Sequence, residues 1–502
     1  MRAACAGVWQ EVTGLTNRQR WVASGALLAL TALRTWMSIP AITPGYDDVP
    51  SYEMFASKSL LAVSAYYPVP NNHVLSNTLS WFFYHLNPGF WFTMRLPVLV
   101  AATAATSLFF VGLLKARAGF DAALLAVVLF GLAQLSLYHA AVGRGYWLLT
   151  LAAGVVFFCS LALLANTHRP RAAWTGLLVG GIVGAYTVPT FALVLASAFS
   201  WVGMGFLRKR DWTGLAQLTA AAAAVALGAL LLYTPLLFVS GMASLFQNGF
   251  VAPMSAARFW AGLPAYWWET EGFLAGQMKI GAVLTLLILG AAVVGLRRAP
   301  AGNLPPGMLL AWQRLVPAAL WFMLFPYAVL AAQRVFAPGR ALLYKAIFGF
   351  MVLSLAIDWL LLALPPRPRQ VLRGVLATTM LLWATYQLSS LWRDNQAPRR
   401  RNAALHAAFE WLAQRSHGPV LIPEPTHSLF VRMYLHAELP GQNWQVDARP
   451  RPGRRYAYVL AFPERHGQFQ PHFTTPPVFH NEQVEIYEAS DAAPATYWHM
   501  AN

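Results

Sequence analysis

Asp47 and Asp48 stand side by side just after the first long apolar run. The stretch that follows carries Tyr52, Lys58, Tyr66-Tyr67, Pro70-Asn71-Asn72-His73 and Arg95-Leu96-Pro97. Adjacent carboxylates have three uses. One can take a proton from a hydroxyl or amine nucleophile while the other orients it, the two can share a divalent cation, or one can cap a helix beginning near Pro50. Capping and proton transfer are compatible. Pro-Asn-Asn is strong turn chemistry, and it also brings two amides next to His73. Titratable and aromatic groups gathered outside the apolar runs define a candidate site over residues 41–97.

The elements that must position these groups are membrane helices. Of 502 residues, 57% are hydrophobic and only 11% charged, against about 25% charged in soluble domains. Apolar runs recur at 21–40, 92–114, 121–140, 146–165, 174–189, 190–206, 214–239, 280–296, 309–332, 341–363 and 371–391. Most have the ~17–25 residues that cross a bilayer, which predicts a polytopic α-helical membrane protein of about eleven transmembrane helices. The fifth and sixth runs are separated only by Val188-Pro189-Thr190, as in a tight hairpin or one broken re-entrant element. The first run exceeds a signal-peptide core and no clean cleavage site closes it, so it is read as an uncleaved span.

The net charge of +17 sits mostly in short clusters between runs. With the N-terminus inside, every second loop is basic: Lys115 and Arg117, Arg169 and Arg171, Arg208 to Arg210, Arg297 and Arg298, Arg367 and Arg369. That is the positive-inside pattern, so topology explains the charge and nucleic acid is not an expected partner. The two cysteines, Cys5 and Cys159, offer no disulfide framework. Arg34 lies within the first run near its outer end, where it is expected to snorkel to the interface.

Three segments on the opposite face are longer than connectors. The first, 41–91, has apolar content for interfacial helices at 51–63 and 74–86. The second, 240–279, holds Trp267-Trp268, Glu269 and Glu271. The third begins near 395, where hydropathy collapses. Its pattern predicts a helix over 402–416, a strand over 418–423, a helix over 426–436 and strands over 455–462 and 482–488. The expected division is therefore 1–394 for the membrane domain and 395–502 for a small soluble α/β domain on the outer side.

The ordered set of motifs resembles a known family. An acidic pair closely followed by Tyr52, then Tyr67-Pro68-Val69-Pro70-Asn71-Asn72-His73, Arg95-Leu96-Pro97 and Gly143-Arg144-Gly145-Tyr146, is similar to polyprenyl-phosphate-dependent glycosyltransferases of the GT-C fold. Within them it resembles the family 39 group of protein mannosyltransferases and lipid A aminoarabinose transferases. Order and spacing match over 45–150. The sequence departs from the group in having Asp-Asp rather than Asp-Glu, with Tyr52 four residues after Asp48 and five after Asp47.

The resemblance implies an inverting sugar transfer from a polyprenyl-phosphate donor to a lipid, glycan or protein acceptor, at the periplasmic face of a bacterial cytoplasmic membrane. One of Asp47 and Asp48 is then the general base. The anionic leaving group calls for cations that topology does not explain: Arg144 first, then Arg340, with Lys58, Arg95 and Lys345 behind. His73, Asn71, Asn72, Tyr52, Tyr67, Tyr146, Trp267 and Trp268 are the candidates for binding substrate. No protein metal site is expected, although a divalent cation at the Asp pair stays open. The competing class is a transporter or flippase of lipid-linked saccharides, which would place its polar groups at mid-membrane.

Overall fold

A computed structural model describes residues 14–68, 72–165, 170–246, 252–276, 281–298, 306–415, 418–442, 444–451, 453–461 and 476–489. In chain order the helices are α1 Asn17–Trp36, α2 Asp48–Ser51, α3 Leu60–Ala65, α4 Val74–Leu86, α5 Leu96–Lys115, α6 Phe120–Leu132, α7 Gln134–Ala141, α8 Tyr146–Leu164 and α9 Pro170–Thr187. They continue as α10 Ala192–Lys209, α11 Trp212–Phe246, α12 Ala256–Leu274, α13 Gly281–Arg298, α14 Pro306–Gln333, α15 Leu343–Ala363, α16 Pro366–Asp394, α17 Gln396–Ala413 and α18 Pro425–Glu438. Five short strands follow α17: β1 Val420–Leu421, β2 Val446–Asp447, β3 Tyr458–Ala461, β4 Phe479–His480 and β5 Glu485–Glu488.

All eleven expected runs fall on helices, and the chain is a multi-pass α-helical membrane protein. Among the described residues seven helices are long and apolar enough to cross a membrane, or eight if a bent pair counts as one span. The expected count of about eleven spans is thus borne out in part. The apolar part of α13, Gly281–Arg297, is short, and α16 opens on Arg367, Arg369 and Arg373. The α9 helix spends Gly176, Gly180, Gly181 and Gly184 on close packing rather than on hydropathy. The α10 helix with its leading turn, Pro189–Lys209, is a full span by itself.

The broken element lies elsewhere. The run expected as one helix over 121–140 bends by 66° between α6 and α7. Ala133 is extended there (φ −58°, ψ 135°), which strips the Gln134 N–H of its helical acceptor. The buried side chain of Gln387 supplies one, at 2.9 Å, and its own amide donates to Gly276 O at 3.0 Å. An unpaired backbone group in apolar surroundings is costly, so this polar clasp is what makes the bend tolerable.

The chain divides into two compact units. The larger takes the chain through Met37, then Ser64–Ser76 and Val98–Leu391; the smaller takes Ser38–Val63, Asn77–Pro97 and the chain from Trp392. The core of the larger unit is aromatic at its centre. Phe157 packs against Phe348 and Phe322 at ring separations of 4.7 and 5.0 Å, and Phe109 joins from α5 at 6.2 Å from Phe348. Glycines let the helices approach: a Cβ on Gly180 would meet Val155 at 3.0 Å, and one on Gly112 would overlap Phe158. Arg34 does not snorkel. It is fully buried, donating to Ala102 O and Thr106 Oγ1 with its guanidinium 4.5 Å above the Trp147 ring, so the bundle rather than the interface receives the charge.

In the smaller unit the strand order is β2-β1-β3-β5-β4. The β1 strand is parallel to β2 and β3, with Val420 opposite Val446 and Tyr458, whereas β5 is antiparallel to β3 and β4. The two helices and three strands expected from the sequence are present, and β2 and β4 are additional. Leu405, Phe409 and Leu412 of α17 and Phe430 and Val431 of α18 build a core with Val420, Leu460 and Ile486. Val49, Tyr52, Ala56 and Met94 belong to the same core. The opening loop thus packs with the C-terminal α/β fold as one hydrophobic cluster, a grouping that a cut at residue 394 does not capture.

Candidate functional site

Within the smaller unit the two aspartates have different fates. Asp48 is fully buried. Its Oδ1 accepts the Gly45 N–H at 2.5 Å and its Oδ2 lies 3.4 Å from Arg95 Nη2. Burial pushes its carboxyl above the usual range, and Arg95 offsets that only in part. Asp47 is half-buried and stands at the N-cap position of α2, yet its side chain makes no capping bond. The capping use of the pair is therefore not the one adopted. Because a guanidinium already neutralises Asp48, the pair offers a cation at most one uncompensated carboxylate. Among the described residues no group of three or more His, Cys, Asp or Glu is arranged so that it could hold a metal ion.

Arg95 ends a wide π-type turn, Trp91–Arg95, that leads into α5. Another such turn, Met37–Ala41, contains Pro40, which has no N–H to donate. Arg95 Nη1 donates to the carbonyls of Ser38, inside that turn, and Ile42, just after it, while Nη2 faces Asp48. Arg95-Leu96-Pro97 is thus explained locally: the arginine ties three segments of the loop together and the proline sits in the first turn of α5. Its guanidinium is spent on this, which removes it from the phosphate candidates. Tyr52 is likewise a core residue, fully buried, its hydroxyl donating to Pro88 O at 2.6 Å and its ring against Tyr84 and Phe90. Lys58 is exposed and lines a cleft with Arg432, Arg451 and Arg454.

Within the larger unit five of the expected residues, His73, Arg144, Tyr146, Arg340 and Tyr67, come together with one that was not expected. His73 is buried, with its Nδ1 accepting the Gly145 N–H at 3.0 Å and its Nε2 3.1 Å from Arg144 Nη2. The Tyr146 ring meets His73 edge-on at 4.9 Å, and Arg144 lies 6.0 Å from the same ring. Burial together with the charges of Arg144 and Arg340 and the neighbouring His139 drives the His73 pKa well below its usual value, so the ring is neutral. The Tyr67 phenol is pushed up to about 12 by burial, with Arg144 opposing.

Gly145 explains the Gly-Arg-Gly-Tyr motif. A Cβ there would stand 3.0 Å from His73 Nδ1 and 2.9 Å from Thr187 Cγ2, so only glycine lets the imidazole reach the backbone. Asn72 is buried and its amide donates to Tyr66 O at 3.0 Å, bracing the turn as its sequence context suggested. Asn71 lies outside the described residues.

His139 is the residue the sequence reading missed. It is buried on α7 with its ring 4.5 Å from Tyr146. An ionisable side chain at the end of an apolar run, five residues before Arg144, is the signal that points to it.

Lys345 is not part of this group. It is buried and its Nζ pairs with Glu271 Oε1 at 2.8 Å, while Thr285 Oγ1 and the Tyr327 hydroxyl donate to the same carboxylate. The ammonium also lies 3.7 Å from the Tyr327 ring centroid. A lysine so engaged has no charge left to offer a second anion. Trp267 and Trp268 sit on α12, the latter exposed. Among the described residues neither shares a hydrogen bond or ring contact with the His73 group.

No family model and no curated protein matches this sequence. Solved structures align along most of it. ArnT from Cupriavidus metallidurans in the apo state is 14% identical, covering 97% of this chain and all of that one, with a TM-score of 0.46. The same protein bound to undecaprenyl phosphate is 15% identical over 93% of this chain and 97% of that one, with a TM-score of 0.44. The archaeal oligosaccharyltransferase AglB from Archaeoglobus fulgidus, in complex with an inhibitory peptide and a dolichol-phosphate, is 12% identical over 90% of this chain and 70% of that one, at a TM-score of 0.45.

Proposed function

We propose that this chain is a GT-C membrane glycosyltransferase that moves a sugar from a polyprenyl-phosphate donor to an acceptor at the outer face of a bacterial cytoplasmic membrane. The observation that carries the reading is the geometry at His73. A neutral imidazole has one N–H. With Nδ1 accepting from Gly145, the proton is on Nε2, facing an arginine that can only donate. Two donors converging at 3.1 Å form a place where a phosphate oxygen can accept from both. Arg340 adds charge to the same neighbourhood.

In the smaller unit Asp47 is the general base and Asp48, held by Arg95 and the Gly45 N–H, orients the turn that carries it. An acceptor hydroxyl or amine attacks the anomeric carbon and its proton passes to the Asp47 carboxylate. The bond from that carbon to the phosphate oxygen breaks, and the lipid phosphate leaves with the electron pair. A developing anion of this kind calls for hydrogen-bond donors and positive charge, which Arg144 and His73 can offer. Attack opposite the leaving group inverts the anomeric centre.

The test is transfer from radiolabelled polyprenyl-phosphate sugars in membranes containing wild type or Arg144→Gln at matched protein levels. The proposal expects product with wild type and a loss of about 10- to 100-fold with the variant, the worth of a charge-assisted bond. Movement of intact lipid-linked sugar between leaflets without any transfer would instead establish a flippase.

A further inference from the structure

The larger unit holds a cavity that the proposed chemistry does not use. It measures about 300 Å³, at the lower end of the ~300–1,000 Å³ typical of small-molecule sites. Three helices enclose it on the side that the positive-inside pattern assigns to the inner face: α5 and α8 where they finish, and α14 near its start. Ala162 in its wall and Tyr146 beside His73 lie toward opposite ends of the 19-residue α8, about 24 Å apart along its axis. The cavity and the His73 group are therefore separate sites.

Side-chain size explains the opening. Midway along these helices large rings fill the space: Phe157 of α8 meets Phe322 of α14 at 5.0 Å, and Phe109 of α5 meets Phe158 of α8 at 5.7 Å. Toward the inner end the wall instead carries Gly112 and Ala116 at the close of α5, and Ala162 and Ala165 at the close of α8. None of these reaches across to α14, so the gap stays open. Phe158, Leu161 and Leu310 give what remains an apolar lining.

Charge is the second observation. Lys115 and Arg314 share the wall, and among the described residues no carboxylate does. Neither side chain has a hydrogen bond or ion pair with another described residue. Topology accounts for Lys115, at the last position of α5. It does not account for Arg314, which lies more than two turns into α14 and inside an apolar run. A charge so placed is costly unless something pairs it. Arg117 stands at the same rim, its Cβ 3.6 Å from where a Cβ on Gly307 would sit at the start of α14.

We propose that this cavity seats an anionic phospholipid of the surrounding bilayer, its phosphate on Lys115 and Arg314 and part of an acyl chain against Phe158, Leu161 and Leu310. That occupant uses both kinds of wall, the apolar one for its chain and the uncompensated cations for its charge. Basic pockets between membrane helices on the inner side hold anionic headgroups in this way. A zwitterionic headgroup fits less well, because its ammonium would meet cations and no carboxylate. The inference does not rest on the transferase reading, which places its lipid phosphate at the other end of α8.

The test is a lipid titration of the purified full-length protein in detergent, read by native mass spectrometry, with phosphatidylglycerol and phosphatidylcholine of equal chain length. Phosphatidylglycerol should bind about ten-fold or more tightly. That preference should vanish in Lys115→Gln/Arg314→Gln, whose side chains are exposed. Phosphatidylglycerol binding should also weaken in Ala162→Phe, which fills the slot and leaves the charge alone. Arg171→Gln/Arg208→Gln removes two exposed cations elsewhere on the inner side and should leave the preference intact. Equal affinity for the two lipids would overturn the proposal, as would either cavity variant binding like wild type at unchanged circular dichroism. An equal loss in Arg171→Gln/Arg208→Gln would overturn it in favour of general attraction to a basic surface. Displacement of phosphatidylglycerol by equimolar undecaprenyl phosphate would overturn it in favour of a polyprenyl-phosphate site. Because the readout is binding, a failed transfer assay leaves these outcomes intact.

Discussion

His73 Nε2 lies 3.1 Å from Arg144 Nη2 while His73 Nδ1 is already occupied by the Gly145 N–H. Everything proposed for the larger unit follows from that pair of contacts, because they leave the imidazole and the guanidinium both presenting hydrogen. Gly145→Ala tests the arrangement without removing either donor. The added Cβ meets His73 Nδ1 and the Thr187 methyl near 3 Å and forces the ring away. Polyprenyl-phosphate affinity should fall by about ten-fold, the worth of one such bond, with thermal stability little changed. An unaltered affinity would detach the motif from phosphate binding.

Arg95 and Asp48 form a buried pair whose members should be unequal under mutation. Arg95→Met leaves Asp48 buried without its countercharge and also frees the Ser38 and Ile42 carbonyls. A cost of about 3–5 kcal/mol is expected, read as a drop in melting temperature of the purified protein. Arg95→Met/Asp48→Leu should recover part of it, and only part, since the two carbonyls remain unsatisfied.

Lys345 was a phosphate candidate by its charge and its place near the start of a span, and Glu271 lies 74 residues away in sequence. Nothing local reveals that partner. The same holds for Arg34, whose acceptors Ala102 and Thr106 are 68 and 72 residues distant. The sequence did expose what is periodic or locally patterned: the α4 helix expected over 74–86 is Val74–Leu86, and the α18 helix expected over 426–436 is Pro425–Glu438. It did not expose the bend at Ala133, which has neither proline nor glycine at the break and depends on Gln387 from a helix 253 residues on. The His73, Arg144 and Tyr146 group was legible because its members lie in short motifs. The separation of roles between Asp47 and Asp48 was not, since burial decides it.

The Glu271 and Lys345 pair gives a prediction of its own. Lys345→Met should cost about 3–5 kcal/mol by stranding a buried carboxylate, and Lys345→Met/Glu271→Leu should be more stable than either single variant. Thermal unfolding in detergent measures both. If the double variant restores stability yet transfer is lost, Lys345 belongs back among the donor-binding residues.

The α/β fold should be pH-sensitive through His427. The residue is buried on α18 and its pKa is lowered to about 4, chiefly by burial. A depressed histidine favours the folded state above the unfolded value of about 6.5, and that contribution is lost as pH falls from there through about 4. The full span is worth up to about 3 kcal/mol. His406 works in the opposite sense: its bond to Glu438 raises its pKa, so its contribution is present below about 6.5 and lost as pH rises through the raised value. Melting temperature should therefore fall between pH 7 and pH 4, and His427→Asn should flatten that slope.

The central claim is that Asp47 is the base and Asp48 a positioning residue. Transfer from a polyprenyl-phosphate sugar should be measured for Asp47→Asn and Asp48→Asn side by side, with melting temperatures for each. The account predicts that Asp47→Asn melts like wild type and loses transfer by about 10²- to 10⁴-fold, the usual worth of a general base. Asp48→Asn should instead lower the melting temperature through its broken pairing with Arg95 while retaining more transfer. Wild-type transfer in a stable Asp47→Asn protein, with activity lost only in Asp48→Asn, would contradict it.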